Sequence, residues 1–458
     1  MATLHRDVVV IGAGPTGLTT ARALSRAGRS VAVLEARDRV GGRTWTREIG
    51  GATLEIGGQW VSPDQTALLE LLDELRLETY PRYREGASVF IAPGGTRHEY
   101  AGEDFPVARA TLEAMERLTA LLDRLAAETD PEHPWEHPQA RELDSVSFHA
   151  WLRAHSDDEE ACRNIGLFIA GGMLTKPAHT FSALQAVLMA ASAGSFSNLV
   201  DDGFILDRRV KGTMQAVSQR MAEELGDDVF LSNPVLRLEW DEDGVTAHGA
   251  DVVVRARQAV VAVPPNLYSR ISYDPPLPRW QHLAHQHQSM GLVIKVHAVY
   301  PTPFWRAKSL SGTGFSPDGL VQEVYDNTLH GDTRGTLVGF VSDEKADAVF
   351  ALDEHERRAA VLSSLAGFLG PEALDPEVYF ESDFGSEEWT RGAYATSYDL
   401  GGLLRYGPRQ HEAVGPLLFA SSDLAGAGYQ HVDGAVRMGR RTAERILAAL
   451  PQPADVRS

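Results

Sequence analysis

Residues 7–43 read DVVVIGAGPTGLTTARALSRAGRSVAVLEARDRVGGR. The strand-like DVVVI leads into Gly12-x-Gly14-x-x-Gly17 and a helix-like stretch to Ala27. Gly12 permits a tight turn, Gly14 lets the backbone approach a pyrophosphate, and Gly17 lets helix and strand pack closely. The helix N-terminus then offers unpaired N–H groups and a positive dipole end to phosphates. A second strand-like run, SVAVLE, ends in Glu35, 18 residues after Gly17. A carboxylate there accepts hydrogen bonds from both ribose hydroxyls and repels a 2′-phosphate. Strand, glycines, helix, second strand and terminal acid occur in order, which predicts a dinucleotide site in a Rossmann-like α/β unit.

Just beyond the acid comes Arg39-Val40-Gly41-Gly42-Arg43-Thr44. As a local pattern this is either an exposed basic turn or a second glycine pair with an arginine near a pyrophosphate. With the preceding motif, it resembles the flavin-containing amine oxidase family, in which this stretch touches FAD. That resemblance implies FAD as cofactor, with Gly12, Gly14, Gly17, Glu35, Ala36, Gly42 and Arg43 around it. Gly58, Gln59 and Trp60, after Gly57, are further cofactor candidates, as is Val235.

The chain has 458 residues, 43 basic and 63 acidic, for a net charge of −20. That balance opposes nucleic acid or an anionic membrane as a partner. It mildly favours cationic small molecules, although solubility alone is the stronger account. The single cysteine, Cys162, excludes an internal disulfide and any cysteine-based metal site. No apolar stretch approaches the roughly 20 residues of a membrane span. The tail LAALPQPADVRS is too short and polar to anchor. The expectation is a soluble cytoplasmic protein, with a homodimer implied by the resemblance.

Cofactor-type segments occur at the beginning, middle and end, so two interleaved domains are expected. Residues 1–80, 202–285 and 385–458 form the FAD-binding domain, and 81–201 with 286–384 the substrate domain. The first insertion reads as mostly helical, with RATLEAMERLTALLDRLAAE amphipathic and HTFSALQAVLMAASAG buried. The second carries the strand-like runs LVIKVHAVY, GLVQEVYDN and GTLVGFVS. The fold class is therefore α/β, with a Rossmann-like domain interleaved with a mixed sheet and helices.

Several residues are candidates for the chemistry. A buried strand ending at Phe419-Ala420 leads through Ser421-Ser422-Asp423 to a helix at about Val432. That helix N-terminus suits the electron-rich edge of a reduced flavin. Asp423 is either a helix cap or the acceptor for a ribityl hydroxyl. Ser422 and Val432 join the cofactor set. Lys295 shares a strand face with Val293, His297 and Val299. Pattern alone favours a solvated lysine. The resemblance instead implies a lysine that holds a water beside the flavin and assists reaction with oxygen.

In WTRGAY, the resemblance places Ala393 where some relatives carry a flavin-tethering cysteine, so FAD is expected to be bound non-covalently. Tyr394 matches one wall of an aromatic cage around the amine. The second wall is His431, with Tyr429 as the alternative. Glu323 in VQEVYDN shares a face with Val321 and Tyr325. A buried acid among apolar neighbours is costly unless a cation pairs with it, and an outward-facing strand acid is the competing reading. His282, His285 and His287 cannot all aim at one metal from a single helical turn, so no metal is expected. No Gly-x-Ser-x-Gly elbow appears.

The stretches QEVYDN and GYQHVDGAV resemble, within that family, its bacterial putrescine oxidases. The resemblance implies oxidation of a primary amine or diamine by hydride transfer to the flavin, with oxygen as final acceptor. The alternatives are a monoamine oxidase for aryl-alkyl or aliphatic amines, with Glu323 structural, and a flavoprotein without turnover. An amino-acid oxidase would need a cation for the substrate carboxylate, which an acid in the pocket opposes.

Overall fold

The computed structural model describes residues 2–102, 104–342 and 344–450. The tail expectation concerns residues 447–458, of which 451–458 lie outside the described residues. Among the described residues no helix is long and apolar enough to cross a membrane.

An eight-stranded sheet carries the glycine motif. Ala2–Ile11 pairs in parallel with Val31–Leu34 on one side and with Val252–Val261 on the other. Leu417–Phe419 extends the parallel set beside Val252–Val261. Val8, Val10 and Val33 point to one face, where helices Pro15–Arg26, Gln215–Leu225 and Val432–Ala449 cover them. Val9, Ile11 and Leu34 point to the other, with Val254 and Phe419. Both faces are buried, which is why the run VVVI is apolar without alternation. The chain leaves the first strand at Gly12 with φ +105. A Cβ there would lie 2.8 Å from the Ala262 carbonyl oxygen, and a Cβ on Gly17 would overlap the Gly12 carbonyl.

The second sheet has seven strands in the order Val378–Asp383, Val293–Tyr300, Gly335–Ser342, Glu323–Asp326, Leu310–Phe315, Ala87–Ile91, Arg97–Tyr100. Its strand Val293–Tyr300 is buried on both faces. Ile294, Val296 and Ala298 pack under helix Glu354–Leu369 through Val361, Leu365 and Phe368. Val293 packs on the opposite side with Phe340, Phe384 and Ala393, as alternation requires.

Two readings of the sequence need correction and a third an addition. Residues 81–201 are mostly helical, and Ala87–Ile91 and Arg97–Tyr100 add a hairpin that completes the second sheet. Its turn is Pro93-Gly94-Gly95, with φ +89 at both glycines, a signal the long amphipathic helix Arg109–Ala127 overshadowed. Val321 does not share the face of Glu323 and Tyr325. The strand begins at Glu323, so Val321 precedes the ladder and packs with Val324 under the helix. Lys295 does not face solvent; it is 5% exposed.

Candidate active site

One continuous cavity runs from the glycine motif to the second sheet. Gly12, Gly14, Glu35, Ala36, Gly42, Arg43, Gly58, Gln59, Trp60, Val235, Ala393, Ser422 and Val432 all line it, together with Lys295, Glu323, Tyr394 and His431. At the glycine end, a Cβ on Gly14 would meet no atom within 4 Å, and one on Gly58 only Thr44 Cγ2 at 3.9 Å. Bare backbone therefore borders open space there. Glu35, at the end of its strand, accepts the Ala13 N–H at 2.7 Å and the Arg37 N–H at 2.9 Å. Each carboxylate oxygen keeps a lone pair for a further donor. Helices Pro15–Arg26 and Val432–Ala449 both begin at this cavity without a side-chain cap, leaving first-turn N–H groups for a ligand.

Two cofactor candidates lie behind the wall. Gly17 is packed on the Gly12 carbonyl and does not reach the cavity. Asp423 is fully engaged within the protein: it accepts from the Thr396 N–H at 2.6 Å and the Ser421 hydroxyl at 2.5 Å, and pairs with Arg43. Burial alone would raise its carboxyl, but the adjacent Arg43 guanidinium and these hydrogen bonds hold it below the ordinary range. Its lone pairs are committed, so the ribityl expectation gives way to a different part. Asp423 fixes Arg43, which also donates to the Tyr394 carbonyl at 2.9 Å. Ser421 and Ser422 are the members of that turn that line the cavity.

The far end of the cavity is a row of side chains across the second sheet. Lys295 stands opposite Ser382 on one side and Phe340 on the other. Phe340 stands opposite Glu323, and Glu323 opposite Phe315. Residues directly opposite project from the same face. Lys295 and Glu323 are thus two strands apart, ~10 Å between backbones at the usual strand spacing. Tyr394 packs edge-on to Phe340 between them, ring centroids 6.2 Å apart.

The Lys295 ammonium donates to the Glu55 carbonyl at 2.7 Å, the Gly57 carbonyl at 2.8 Å and Gln59 Oε1 at 2.5 Å. Burial drives its pKa well down, while the Glu55 carboxylate opposes the fall. Three acceptors use three N–H groups, so these bonds belong to the ammonium form. Glu323 Oε2 accepts the Tyr325 hydroxyl at 2.7 Å. Burial raises its carboxyl to about 7, with the tyrosine bond opposing.

Of the two candidates for the second cage wall, His431 lines the cavity. Tyr429 is 3% exposed, lies in the helical core and donates to the Thr396 carbonyl at 2.8 Å. Sequence reasoning missed Phe168, Gly172 and Met173, all on the π-helical turn Leu167–Leu174 that lines the cavity. It missed Thr175, whose hydroxyl donates to the Ala393 carbonyl at 2.6 Å and accepts the Tyr394 N–H at 3.2 Å. Only the apolar, glycine-paired run LFIAGGML hinted at that turn. Phe340 was visible as a strand residue but not as the link between Lys295 and Glu323. His285 is a packing residue: it bonds Gln281 and packs edge-on to Tyr268 and tilted against Phe419. Burial lowers its pKa to about 3. Among the described residues no group of histidine, cysteine and acidic side chains could hold a metal ion.

The family model for flavin-containing amine oxidoreductases matches residues 15–447. The chain belongs to that family. Putrescine oxidase of Kocuria rosea is 67% identical, covering 97% of this chain and 96% of its own length. A solved structure of putrescine oxidase bound to putrescine superposes with a TM-score of 0.97 at 67% identity, covering 97% of this chain and all of that one. Cyclohexylamine oxidase from Brevibacterium oxydans superposes at 0.92 with 31% identity, covering 97% and 99%. This family member is an FAD-dependent amine oxidase, and its cavity fits the cofactor. It offers bare glycine backbone and the uncapped helix end at Pro15 for phosphates, a second uncapped helix end at Val432 for the flavin edge, an acid with free lone pairs for ribose, and an apolar-walled chamber at Ala393 and Tyr394.

Proposed function

We propose that the protein oxidises one primary amine of a short diamine, putrescine, to the aminoaldehyde, with oxygen and water consumed and ammonia and hydrogen peroxide released. The observation that carries this reading is the cross-strand row: a carboxylate, Glu323, on the face of Lys295 and two strands away. Putrescine measures roughly 6 Å between nitrogens, from bond lengths near 1.5 Å. A molecule of that length fits within the ~10 Å between the Lys295 and Glu323 backbones, so an amine reacting beside Tyr394 can set its second nitrogen against the Glu323 side chain. The putrescine oxidase relative and the putrescine-bound neighbour support the same choice.

FAD bound in this cavity supplies the two-electron acceptor for the amine C–H bond. Glu35, Gly12, Gly14, Gly42, Arg43 and Gly58 would hold its nucleotide and pyrophosphate parts, and Gln59, Trp60, Ala393, Ser422 and Val432 its flavin part. Ala393 has no nucleophilic side chain, so the hold is non-covalent. Tyr394 and His431 flank the reacting nitrogen and orient its α-carbon. Burial raises the Tyr394 hydroxyl well above its ordinary range, with Glu323 adding to the rise, so this wall stays neutral and accepts an uncharged amine. Glu323 takes the distal ammonium, with Tyr325 fixing its second oxygen. Lys295, pinned at three points, keeps a cation at the edge of the chamber for the step with oxygen. The substrate iminium then meets water and gives aldehyde and ammonia.

A monoamine specificity would leave the Glu323 carboxylate buried with only the Tyr325 hydroxyl and no cation to pair with, a costly arrangement for a charge. Peroxide formation over a panel of putrescine, butylamine, benzylamine and an L-amino acid tests the reading. Putrescine should give the highest kcat/KM; equal efficiency with butylamine or benzylamine overturns it.

A further inference from the structure

The residue that faces the Glu323 carboxylate at the cavity wall has no side chain. Gly172, on the π-helical turn Leu167–Leu174, also lines the cavity. A Cβ on Gly172 would lie 2.9 Å from Glu323 Oε1 and 3.8 Å from its Cδ. The other oxygen, Oε2, is held by the Tyr325 hydroxyl at 2.7 Å. The carboxylate is therefore clamped between a tyrosine on its own strand and a bare patch of helix backbone. We infer that Gly172 is a specificity-determining position, the gap that lets Glu323 present its charge to the distal end of a diamine. The inference rests on the reading of Glu323 as the ammonium partner.

The backbone itself does not demand glycine here. Gly172 is not among the residues with positive φ, and alanine is the better helix former. Apart from the glutamate, the nearest atom to an added methyl is the Leu167 carbonyl oxygen at 3.5 Å, an ordinary contact. The atom that must move is the far end of a flexible side chain. Gly172→Ala should thus fold and bind FAD, while pushing Oε1 aside and straining the bond to Tyr325. The neighbouring Gly171 gives a control. A methyl there would meet Leu167, Ser342 and Gln322 at 3.2–3.5 Å and not Glu323.

The test compares kcat/KM for putrescine and butylamine in the FAD-loaded wild type, Gly172→Ala, Gly171→Ala, Glu323→Gln and the double variant Gly172→Ala/Glu323→Gln. Gly172→Ala should lower the putrescine value ~10-fold or more and the butylamine value less than ~3-fold, because only the diamine uses the distal charge. In the Glu323→Gln background the same alanine should add little, the non-additivity expected of two residues acting through one contact. Flavin absorbance and thermal midpoint establish that each variant is folded. A folded Gly172→Ala that keeps its preference for putrescine, or that loses both substrates equally as Gly171→Ala does, overturns the inference. If Glu323→Gln itself fails to separate the two amines, the underlying reading of Glu323 falls instead.

Discussion

Glu323→Gln is the substitution with the sharpest consequence for substrate choice. Burial moves this carboxyl from its ordinary 4.5 to about 7. At pH 8 the anion is already present in the free protein, so the whole charge-assisted bond to a distal ammonium is at stake. Such bonds contribute about 1.5–3 kcal/mol net, which converts to a ~10- to 150-fold loss in kcat/KM for putrescine. Butylamine brings no second charge and should be unaffected, or improved by removal of an unpaired anion.

The pH dependence carries the same sign. Below about 7 the wild-type carboxyl is protonated and must lose its proton before it can pair. The ratio of putrescine to butylamine efficiency should therefore fall ~10-fold from pH 8 to pH 6. Both amines stay protonated across that range, so their own titration cancels in the ratio. The fall should vanish in Glu323→Gln. Steady-state peroxide assays on both substrates at the two pH values provide the measurement. Parallel losses for putrescine and butylamine, or a pH-independent ratio in the wild type, would refute the reasoning and make Glu323 structural.

Lys295→Met should slow reoxidation of the reduced protein by oxygen at least ~10-fold while leaving anaerobic reduction by amine much less affected, since a fixed cation favours developing negative charge. Stopped-flow traces of the two half-reactions decide it, and equal slowing of both would count against the role. Glu35→Ala should weaken FAD binding by about 1–3 kcal/mol, the range for losing a charged acceptor; fluorescence titration of the apoprotein reads it, and unchanged affinity would assign the ribose elsewhere. Acid precipitation should leave FAD in the supernatant, because Ala393 cannot tether it; a yellow pellet would contradict non-covalent binding.

The nucleotide end of the site was legible in the sequence because its determinants are local. A turn at Gly12, a close packing at Gly17, a bare backbone at Gly14 and an acid at the end of the next strand are all set by residues within one βαβ unit. The alternation around Lys295 was equally readable, since the two-residue period follows from strand geometry alone. What covers each face is not local. Pattern alone favoured a solvated Lys295, yet helix Glu354–Leu369 closes one side of its strand and the cavity the other.

The same distinction separates Asp423 from Ser422, and His431 from Tyr429. All four belong to short polar or aromatic stretches at the C-terminal helix, but only the packing of Arg43 and the Thr396 backbone turns Asp423 and Tyr429 inward. Above all, Lys295 and Glu323 are 28 residues apart in the chain with no pattern linking them. Strand register through Phe340 sets them on one face. Register depends on pairing between distant segments, and a slip of one residue would turn either side chain away from the cavity.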